Sequence, residues 1–298
     1  MPERFYLLPV SRGTLAVAGD DRHTFLQGLV SNDVTRVTAD RAIHAALLTA
    51  QGRYLHDFLL AEIGDRLLLD CEAERREDLR RRLSIYKLRS KVVLTDATDE
   101  LAIALLFGKD AAAAFDLADE PGRATPWQGG VVYVDPRLAA LGLRALLPRG
   151  EAATLLAAAG FTPGKPEDYE WLRLSLGVPD GSRDLPVEKA ILLENSFDEL
   201  NGVDWNKGCY MGQELTARTK YRGLVRKHLV PVEIDGPLPS PGTPIMLGDK
   251  EAGEMRSGID GLGLALMRDE YLEAAPARGA FAAGQSRLTP RKPAWAAS

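Results

Sequence analysis

One stretch in the first third of the chain constrains the fold most, because its pattern changes from strand-like to helical and back. Two apolar stretches, 54–63 and 66–70, are separated only by Gly64-Asp65, which predicts a tight β-hairpin. A charged stretch at about 72–86 follows, with apolar residues at helical spacing, and a short apolar strand at 91–94 comes next. This β-β-α-β order predicts part of a ferredoxin-like α+β unit.

The rest of the first 222 residues also alternates short strands with helices. Asp20 or Asp21 is in a position to cap the first helix, which we expect to run to about Val30. Further strands are predicted at 14–18, 42–49, 101–107, 131–134 and 141–147, and further helices at about 110–118, 150–159, 167–176 and 213–219, with 121–130 as a loop.

The sequence pattern changes at about residue 224, where short apolar stretches alternate with glycine and proline turns. This pattern is typical of a small all-β barrel. We therefore predict an N-terminal region at 1–222 and a C-terminal barrel at 223–298, with 290–298 as a loosely held tail. The barrel strands are predicted at Leu229–Ile234, Pro244–Leu247, Gly258–Met267 and Ala280–Ala282.

Composition excludes several functional classes. The net charge of -5 does not suit a nucleic-acid wrapper or a protein that binds anionic membranes. The N-terminus has neither signal-peptide nor transit-peptide character, so a cytoplasmic location is expected. The two cysteines, Cys71 and Cys209, fit a reducing compartment, and the four scattered histidines lack metal-ligand spacing, so no metal site is expected.

The segment around Cys209 carries the strongest chemical signal. Gly208 and Gly212 flank it, and glycine permits close approach of a ligand or of another backbone. A helix starting at Gln213 and the nearby Lys207 would both favour a thiolate, whereas Glu214 would oppose it. From the residues alone, a buried cysteine acting as a small hydrophobe is an equally good interpretation.

The eight residues Lys-Gly-Cys-Tyr-Met-Gly-Gln-Glu at 207–214 resemble the signature of the YgfZ family of folate-binding iron–sulfur maintenance proteins. That family belongs to the superfamily of the glycine-cleavage T-protein, a tetrahydrofolate-dependent aminomethyltransferase. The segments 25–34, 52–58, 173–179 and 217–223 also resemble these families, so the resemblance covers about residues 5 to 267. It implies a ring-like arrangement of an N-terminal α/β region, the ferredoxin-like unit and the barrel, with folate in the central opening.

The resemblance also implies roles for individual residues. Cys209 would act as a thiolate in redox chemistry, transient ligation or a folate adduct, with Lys207 tuning it, and one cysteine alone does not hold a permanent cluster. Gln213 and Glu214 would hold the loop or reach the ligand, and Arg222 would order the barrel junction or bind the folate tail. The remaining expected folate-site residues are Asn32, Asp33, Arg173 and Tyr210, with Trp205 as a further stacking candidate, whereas core packing is favoured for Trp171.

Two positions depart from the T-protein pattern. His56-Asp57 stands where the T-protein usually has two aspartates, and Ser175 stands where it has a pterin-contacting glutamate. Because methylene transfer and pterin binding both use carboxylates, these changes argue against aminomethyltransferase activity. Asp57 is either the retained site carboxylate or a strand-end cap, and His56 is expected to be a surface or hydrogen-bonded histidine.

Three functional classes follow. The favoured class is a folate-binding accessory protein for iron–sulfur cluster assembly or repair, with clients that include the radical-SAM tRNA methylthiotransferase. A folate-dependent one-carbon transferase and a pure assembly scaffold are the alternatives. The expected partners are a reduced folate and, transiently, iron–sulfur or cluster-assembly proteins. Arginines in the 75–91 stretch alternate with acids, which favours an ion-paired helix face over a nucleic-acid patch.

Overall fold

The computed structural model describes residues 3–272 and 280–296, and these form two compact units. Both units are discontinuous in sequence. The first comprises Met1–Leu48, Leu55–Lys165 and Leu200–Met211, and the second comprises Thr49–Tyr54, Pro166–Glu199 and Gly212–Ser298.

The first unit contains most of the predicted α/β elements. Its strands and helices in chain order are β1 (Arg4–Leu7), β2 (Arg12–Ala18), α1 (Arg22–Gln27), β3 (Ile43–Leu48), β4 (Tyr54–Ile63), β5 (Arg66–Glu72), α2 (Arg76–Tyr86), β6 (Val93–Asp96), β7 (Leu101–Gly108), β8 (Ala124–Trp127), β9 (Gly130–Val134), β10 (Leu143–Pro148), α3 (Ala152–Ala158) and β11 (Thr162–Pro163).

A five-stranded sheet with the order β3-β4-β5-β2-β6 confirms the ferredoxin-like prediction. Strands β2, β4, β5 and β6 with helices α1 and α2 follow the β-α-β-β-α-β chain order, and β2 lies between β5 and β6. The predicted hairpin is present, since β4 pairs antiparallel with β5 and Ile63 is opposite Arg66. The predicted cap on α1 is absent, because Asp21 makes no side-chain cap bond and instead accepts from the Lys91 backbone N–H at 2.7 Å.

A six-stranded sheet has the order β11-β1-β7-β10-β9-β8. Its edge strand β8 lies in the stretch predicted as a loop, because Pro126 weakens the strand signal there. The predicted helix at 110–118 is reduced to a 3₁₀ turn, Ala112–Phe115, which ends at Asp116 in the left-handed region (φ 53). Phe115 is held by rings from distant elements, at centroid distances of 5.1 Å to Trp127 and 5.7 Å to Phe161.

Residues of both sheets share a buried apolar cluster in the first unit. The facing strands are β2, β4 and β5 from one sheet and β7, β9 and β10 from the other. Burial of these side chains is the main stabilising contribution to this unit. The cluster includes Ala16, Leu59, Leu68, Ile103, Val131, Tyr133 and Leu146.

A chain of buried charges runs beside this cluster. Arg144 donates to Asp70 Oδ2 at 2.9 Å and to Asp135 Oδ2 at 3.3 Å. Arg12 donates to the other Asp70 oxygen at 2.6 Å, and Arg137 donates to Asp135 at 2.8 Å. Burial raises the pKa of Asp135, but Arg137 and Arg144 outweigh it and hold that pKa well below its usual range. Positive and negative groups therefore alternate through the interior.

The second unit contains helices α4 (Pro166–Ser175) and α5 (Gln213–Tyr221) and a closed barrel of six strands. Most predicted barrel strands are present, but β14 was missed because a β-bulge interrupts its alternation, and β17 was also missed. The predicted loose tail is wrong as far as residue 296, since Trp295 donates to the Leu176 carbonyl at 2.5 Å. The barrel strands are β12 (Lys227–Asp235), β13 (Pro244–Leu247), β14 (Lys250–Ile259), β15 (Leu262–Arg268), β16 (Phe281–Ala283) and β17 (Ser286–Pro290).

Replacing Arg144 by methionine tests the buried charge chain. We expect the free energy of unfolding to fall by about 3–5 kcal/mol, because two buried carboxylates lose their shared cation. Urea denaturation at pH 7 measures the change. Arg66→Met is the matched control, since its partner Glu100 is exposed and such pairs contribute about 0–1 kcal/mol. Equal losses in the two variants would contradict the expected importance of Arg144.

Candidate functional site

Lys207 anchors the segment that carries the cysteine signature. Its ammonium donates to the backbone carbonyls of Gln27 at 2.8 Å, Val30 at 2.5 Å and Asn32 at 2.8 Å. These carbonyls lie at and beyond the C-terminal end of α1, where helix carbonyls lack partners and a cation is favoured. An ammonium has three N–H donors, so all of them are engaged by the α1 end and the following loop. Lys207 therefore has a structural role here.

Burial of the Lys207 ammonium opposes its charged form. Burial lowers the pKa of its ammonium to about 8, although Asp33 and Asp204 favour the charged form. The ammonium also lies 5.1 Å from the ring centroid of Tyr210, within cation–π distance. Asp204 orders the approach to Lys207, since its Oδ1 accepts from the backbone N–H groups of Asn206 at 2.7 Å and Lys207 at 3.0 Å.

Cys209 is exposed between two anchored positions of the chain. Lys207 fixes the residues before it, and after it Tyr210 is buried while the Met211 N–H donates to Gly28 O at 3.2 Å. Cys71 shows the contrasting environment, because burial raises the pKa of its thiol to about 12. The thiol of Cys209 is thus the accessible one, and the interpretation of Cys209 as a buried small hydrophobe is wrong.

The Ser31-Asn32-Asp33 loop, which contains two of the expected folate-site residues, is a hydrogen-bonding junction. Asn32 donates to His44 O at 2.7 Å and to Asn201 O at 2.8 Å, and its Oδ1 accepts from the Asp33 N–H at 2.7 Å. Ser31 Oγ donates to Gly202 O at 2.6 Å. These bonds tie the loop to the stretch that leads into the signature.

Asp33 caps the short 3₁₀ helix Val34–Arg36. Its Oδ1 accepts from Gln27 Nε2 at 2.8 Å and from the Thr35 hydroxyl at 2.7 Å. Burial raises the pKa of Asp33, but the hydrogen bonds from Thr35 and Gln27 and the charge of Lys207 outweigh it, so the pKa is lowered. The ionised carboxylate is the form that this environment favours.

Asp57 and His56 lie next to each other on β4 but have different partners. Asp57 is buried, and its Oδ2 is 3.4 Å from Nε2 of His44 on β3. His56 is also buried, with Nε2 3.0 Å from Asp78 Oδ2. Burial lowers the pKa of His56 to about 4, despite the opposing effect of Asp78. His56 is therefore a buried, hydrogen-bonded histidine, as one of the two expectations had it.

Arg173 lies in the second unit, where its guanidinium N–H groups donate hydrogen bonds to other groups of the protein. Its N–H groups donate to Glu170 at 2.6 and 2.7 Å, to Asp184 at 3.0 Å, to Ser257 Oγ at 2.7 Å and to Val178 O at 3.2 Å. A guanidinium has five N–H donors, so each already has an acceptor. The geometry gives Arg173 a role in holding α4 to the barrel.

The remaining predicted residues of the second unit lie on or beside α5. Gln213 is the first residue of this helix, and Glu214 is in its first turn and exposed. Arg218 and Arg222 are also exposed, and neither side chain pairs with any described residue. These two arginines are thus available to anions. Trp171 is 56% exposed, so the expectation that it packs in the core is wrong.

Two segments singled out by the resemblance meet in the second unit. Gly52 has φ +76, and a Cβ placed on it would lie 2.7 Å from both the Gly212 carbonyl oxygen and Leu215 Cβ. Gly212 itself has φ 81 and precedes α5. Side chains other than hydrogen are excluded at Gly52 by this close approach.

Sequence reasoning missed three residues that shape this region, namely His44, Asp204 and Asn201. The available signal for Asp204 was its Asp-x-Asn spacing, which is typical of an Asx turn. No local pattern identified His44, because its partners are 13 and 156 residues away in sequence. Over residues 3–272 and 280–296, no three His, Cys, Asp or Glu side chains are grouped to hold a metal, and no helix is long and apolar enough to cross a membrane.

Comparisons with known proteins agree with this architecture. Residues 226–298 match the family described as the CAF17 C-terminal β-barrel domain. The human protein named iron-sulfur cluster assembly factor IBA57, mitochondrial, is 34% identical over 95% of this chain and 83% of its own length. The mouse protein of the same name is 33% identical over 88% and 77%, respectively.

A solved structure extends the comparison to the fold. The glycine cleavage system aminomethyltransferase T from Bartonella henselae superposes with a TM-score of 0.75 over 96% of this chain and 84% of that chain. Its sequence identity is 16%, so this likeness concerns the fold alone. The predicted T-protein-like fold is confirmed.

The buried ammonium of Lys207 predicts a pH dependence of stability. A lysine pKa is about 10.4 in an unfolded chain and about 8 here. Between these values the unfolded chain binds more protons, so the Lys207 contribution to the free energy of unfolding rises with pH. Lys207→Met should lack this rise. Urea denaturation at several pH values between 7.5 and 10.5 measures it.

Lys250→Met is the matched control, because Lys250 is an exposed barrel lysine. Its pH profile should follow that of the unaltered chain. If Lys207→Met and the unaltered chain gave parallel profiles throughout this range, the ammonium would be as well solvated as an exposed one.

Proposed function

Since this chain belongs to the family of the iron–sulfur cluster assembly factor IBA57, we propose that it is a folate-binding accessory protein for iron–sulfur cluster assembly or repair. The observation that carries the proposal is the 34% identity to the human protein across 95% of the chain. The proposal includes three finer assignments. The chain is a relative of the YgfZ proteins, and its clients include radical-SAM tRNA-modifying enzymes. Its transient partners are cluster-assembly proteins.

Cys209 is the proposed working thiol. It is exposed, while the residues on both sides are held by Lys207 and by the burial of Tyr210. Iron–sulfur clusters normally take several thiolates, so one cysteine supplies a single ligand and the others come from a partner protein. The cluster is then cargo that passes through the site. A fixed, accessible thiol suits this role because a ligand must reach the iron without rearrangement of the loop.

Some of the predicted residues fit a reduced folate better than others. In the first unit, the Asp57 carboxylate is an acceptor suited to pterin N–H groups. In the second unit, Arg218 and Arg222 are exposed and pair with no described side chain, and guanidinium groups suit the glutamate carboxylates of a folate tail. Arg173 does not fit as a ligand donor, since its N–H groups already have protein acceptors. Asn32 and Asp33 would shape the loop through their own hydrogen bonds, and Gln213 and Glu214 would act at the start of α5.

Aminomethyltransferase activity has no specific support in this chain. The likeness to the aminomethyltransferase structure is a likeness of fold at 16% identity. His56 replaces a carboxylate, and its Nε2 is engaged with Asp78. Incubation with aminomethyl-lipoyl carrier protein and tetrahydrofolate distinguishes the two functions, because only a transferase forms methylene-tetrahydrofolate.

Location within the cell stays a prediction. A cytoplasmic location is expected from the sequence, whereas the names of the human and mouse relatives state mitochondria. The proposed role of Cys209 requires only that its thiol is kept reduced. Cell fractionation with an antibody to the chain decides between the compartments.

Replacing Cys209 by alanine tests the proposed role of the thiol. In a strain that lacks this protein, Cys209→Ala should fail to restore the activity of iron–sulfur enzymes, while its melting temperature stays close to that of the unaltered chain. The reason is that an exposed thiol contributes little packing. Cys71→Ala is the matched control and should restore activity, because Cys71 is the buried thiol. Full restoration by Cys209→Ala would show that this thiol is dispensable.

Replacing Arg222 by alanine tests the folate tail. Calorimetric titration should show that triglutamyl tetrahydrofolate binds about two- to fivefold more weakly, since exposed ion pairs contribute about 0.2–1 kcal/mol. The monoglutamate should be affected less, because it carries fewer carboxylates. Arg287→Ala, which removes an exposed arginine of β17, is the matched control. No heat with either folate in the unaltered chain would rule out folate binding.

A further inference from the structure

Exposed apolar side chains are concentrated where α2 ends, in the stretch 84–93 that we call the α2-end surface. Ile85 is 66% exposed, Tyr86 42% and Leu88 89%, and Val93 at the start of β6 is 55% exposed. One depression of this surface is lined by Asp21, Tyr86, Leu88, Arg89 and Ser90. Single exposed hydrophobic residues are common, whereas a group of them is typical of an interaction site.

Leu88 has a backbone conformation that leucine adopts rarely. Its φ is 42°, in the left-handed region that disfavours a bulky side chain and that asparagine and glycine tolerate best. Among the described non-glycine residues with a positive φ, Leu88 is the one apolar residue. Its side chain gains no compensating burial within the chain. Neither packing nor backbone preference accounts for a leucine here, which favours a contact with another molecule.

Hydrogen bonds hold the turn that carries Leu88. The Ser90 N–H donates to Lys87 O at 2.8 Å. The Lys91 N–H donates to Asp21 Oδ2 at 2.7 Å, which ties the turn to the residue before α1. The exposed leucine is therefore presented on an ordered backbone, so little further ordering is needed when a partner binds it.

The charge of the α2-end surface is positive. Residues 84–93 contain Lys87, Arg89 and Lys91 and no acidic residue, in a chain whose net charge is -5. None of these three side chains forms an ion pair with a described residue. Asp21 is the acidic residue that lines the same depression, so an excess of positive charge remains. Acidic side chains complement such a surface.

Helix α1 connects this surface to the loop that carries Cys209. Asp21 contacts Lys91 at the start of α1, and the Met211 N–H donates to Gly28 O at 3.2 Å at its end. These two contacts are separated by about 10 Å, because a helix rises about 1.5 Å per residue. A standard interface covers about 800 Å² of each partner, which is about 30 Å across. A protein that binds the α2-end surface can therefore also reach the thiol.

The identity of the partner rests on the proposed function, in which another protein supplies further ligands to the cluster. We propose that this protein docks on the α2-end surface through apolar and acidic side chains of its own. A second copy of this chain suits the surface less, because a symmetric contact would place equal positive charges opposite each other. The net charge of -5 also disfavours an anionic membrane.

Photo-crosslinking in cells identifies the occupant. The chain is expressed in a strain that lacks it, with p-benzoylphenylalanine in place of Leu88. We expect a crosslink to a protein that binds an iron–sulfur cluster. Changing Lys87, Arg89 and Lys91 together to glutamate should reduce the yield of this crosslink by about tenfold or more.

The matched control carries the same crosslinker in place of Val10, which is 95% exposed and lies between β1 and β2. This position should not give the crosslink that Leu88 gives. A crosslink from position 88 to a second copy of the chain, to lipid or to nucleic acid would overturn the proposal, and so would the absence of any crosslink.

Replacing Leu88 by asparagine separates docking from folding. The melting temperature of Leu88→Asn should stay the same or rise, because asparagine tolerates a positive φ better than leucine does. The activity of iron–sulfur enzymes in the deletion strain should still fall by about tenfold, since the partner loses an apolar contact. Val10→Asn is the matched control and should restore full activity. A lowered melting temperature or full activity of Leu88→Asn would overturn the docking role.

The docking site and the proposed function fail in different ways. If the unaltered chain did not restore iron–sulfur enzyme activity in the deletion strain, the proposed function would be wrong, and with it the identity of the partner. If the unaltered chain restored activity but position 88 crosslinked to no cluster-binding protein, the docking site alone would be wrong.

Discussion

The first unit depends on a chain of buried charges centred on Arg144. This side chain lies between the Asp70 and Asp135 carboxylates at 2.9 and 3.3 Å, and Arg12 and Arg137 complete their coordination. Apolar residues from both sheets share one cluster beside it. Hydrophobic burial is non-directional, whereas each charge here needs one partner in one place. The charges therefore restrict which residues of the two sheets can face each other.

A charge held by a fixed set of partners also orders the signature segment, 207–214. Lys207 satisfies three carbonyls at the end of α1 and thereby fixes the chain around Cys209. The two cysteines of the chain illustrate the result, because Cys71 is buried in a strand and Cys209 is exposed on an anchored loop. Lys207 is thus a structural support that holds an accessible thiol in place.

Part of this organisation followed from the sequence. The hairpin at 54–70, the β-β-α-β order of elements and the barrel strand Pro244–Leu247 follow from local patterns, and the structure has them. Elements whose signal depends on distant contacts were missed or shortened. The segment at 110–118 is one, because Phe115 packs on Trp127 and Phe161, and strand β14 is another, because its bulge breaks the alternation.

By itself the sequence determined the order of elements and the fold class, and it singled out Cys209 and its flanking glycines as a signature. Turns, amphipathic periods and short motifs depend on a few neighbouring residues, so they can be recognised without a structure. Only the tertiary structure decided the partners of Lys207, Arg173 and His44. Lys207 reaches carbonyls 175 to 180 positions away in sequence, and His44 meets Asp57 across two strands. Such contacts depend on how the whole chain packs, because buried charges take the partners that packing brings within reach.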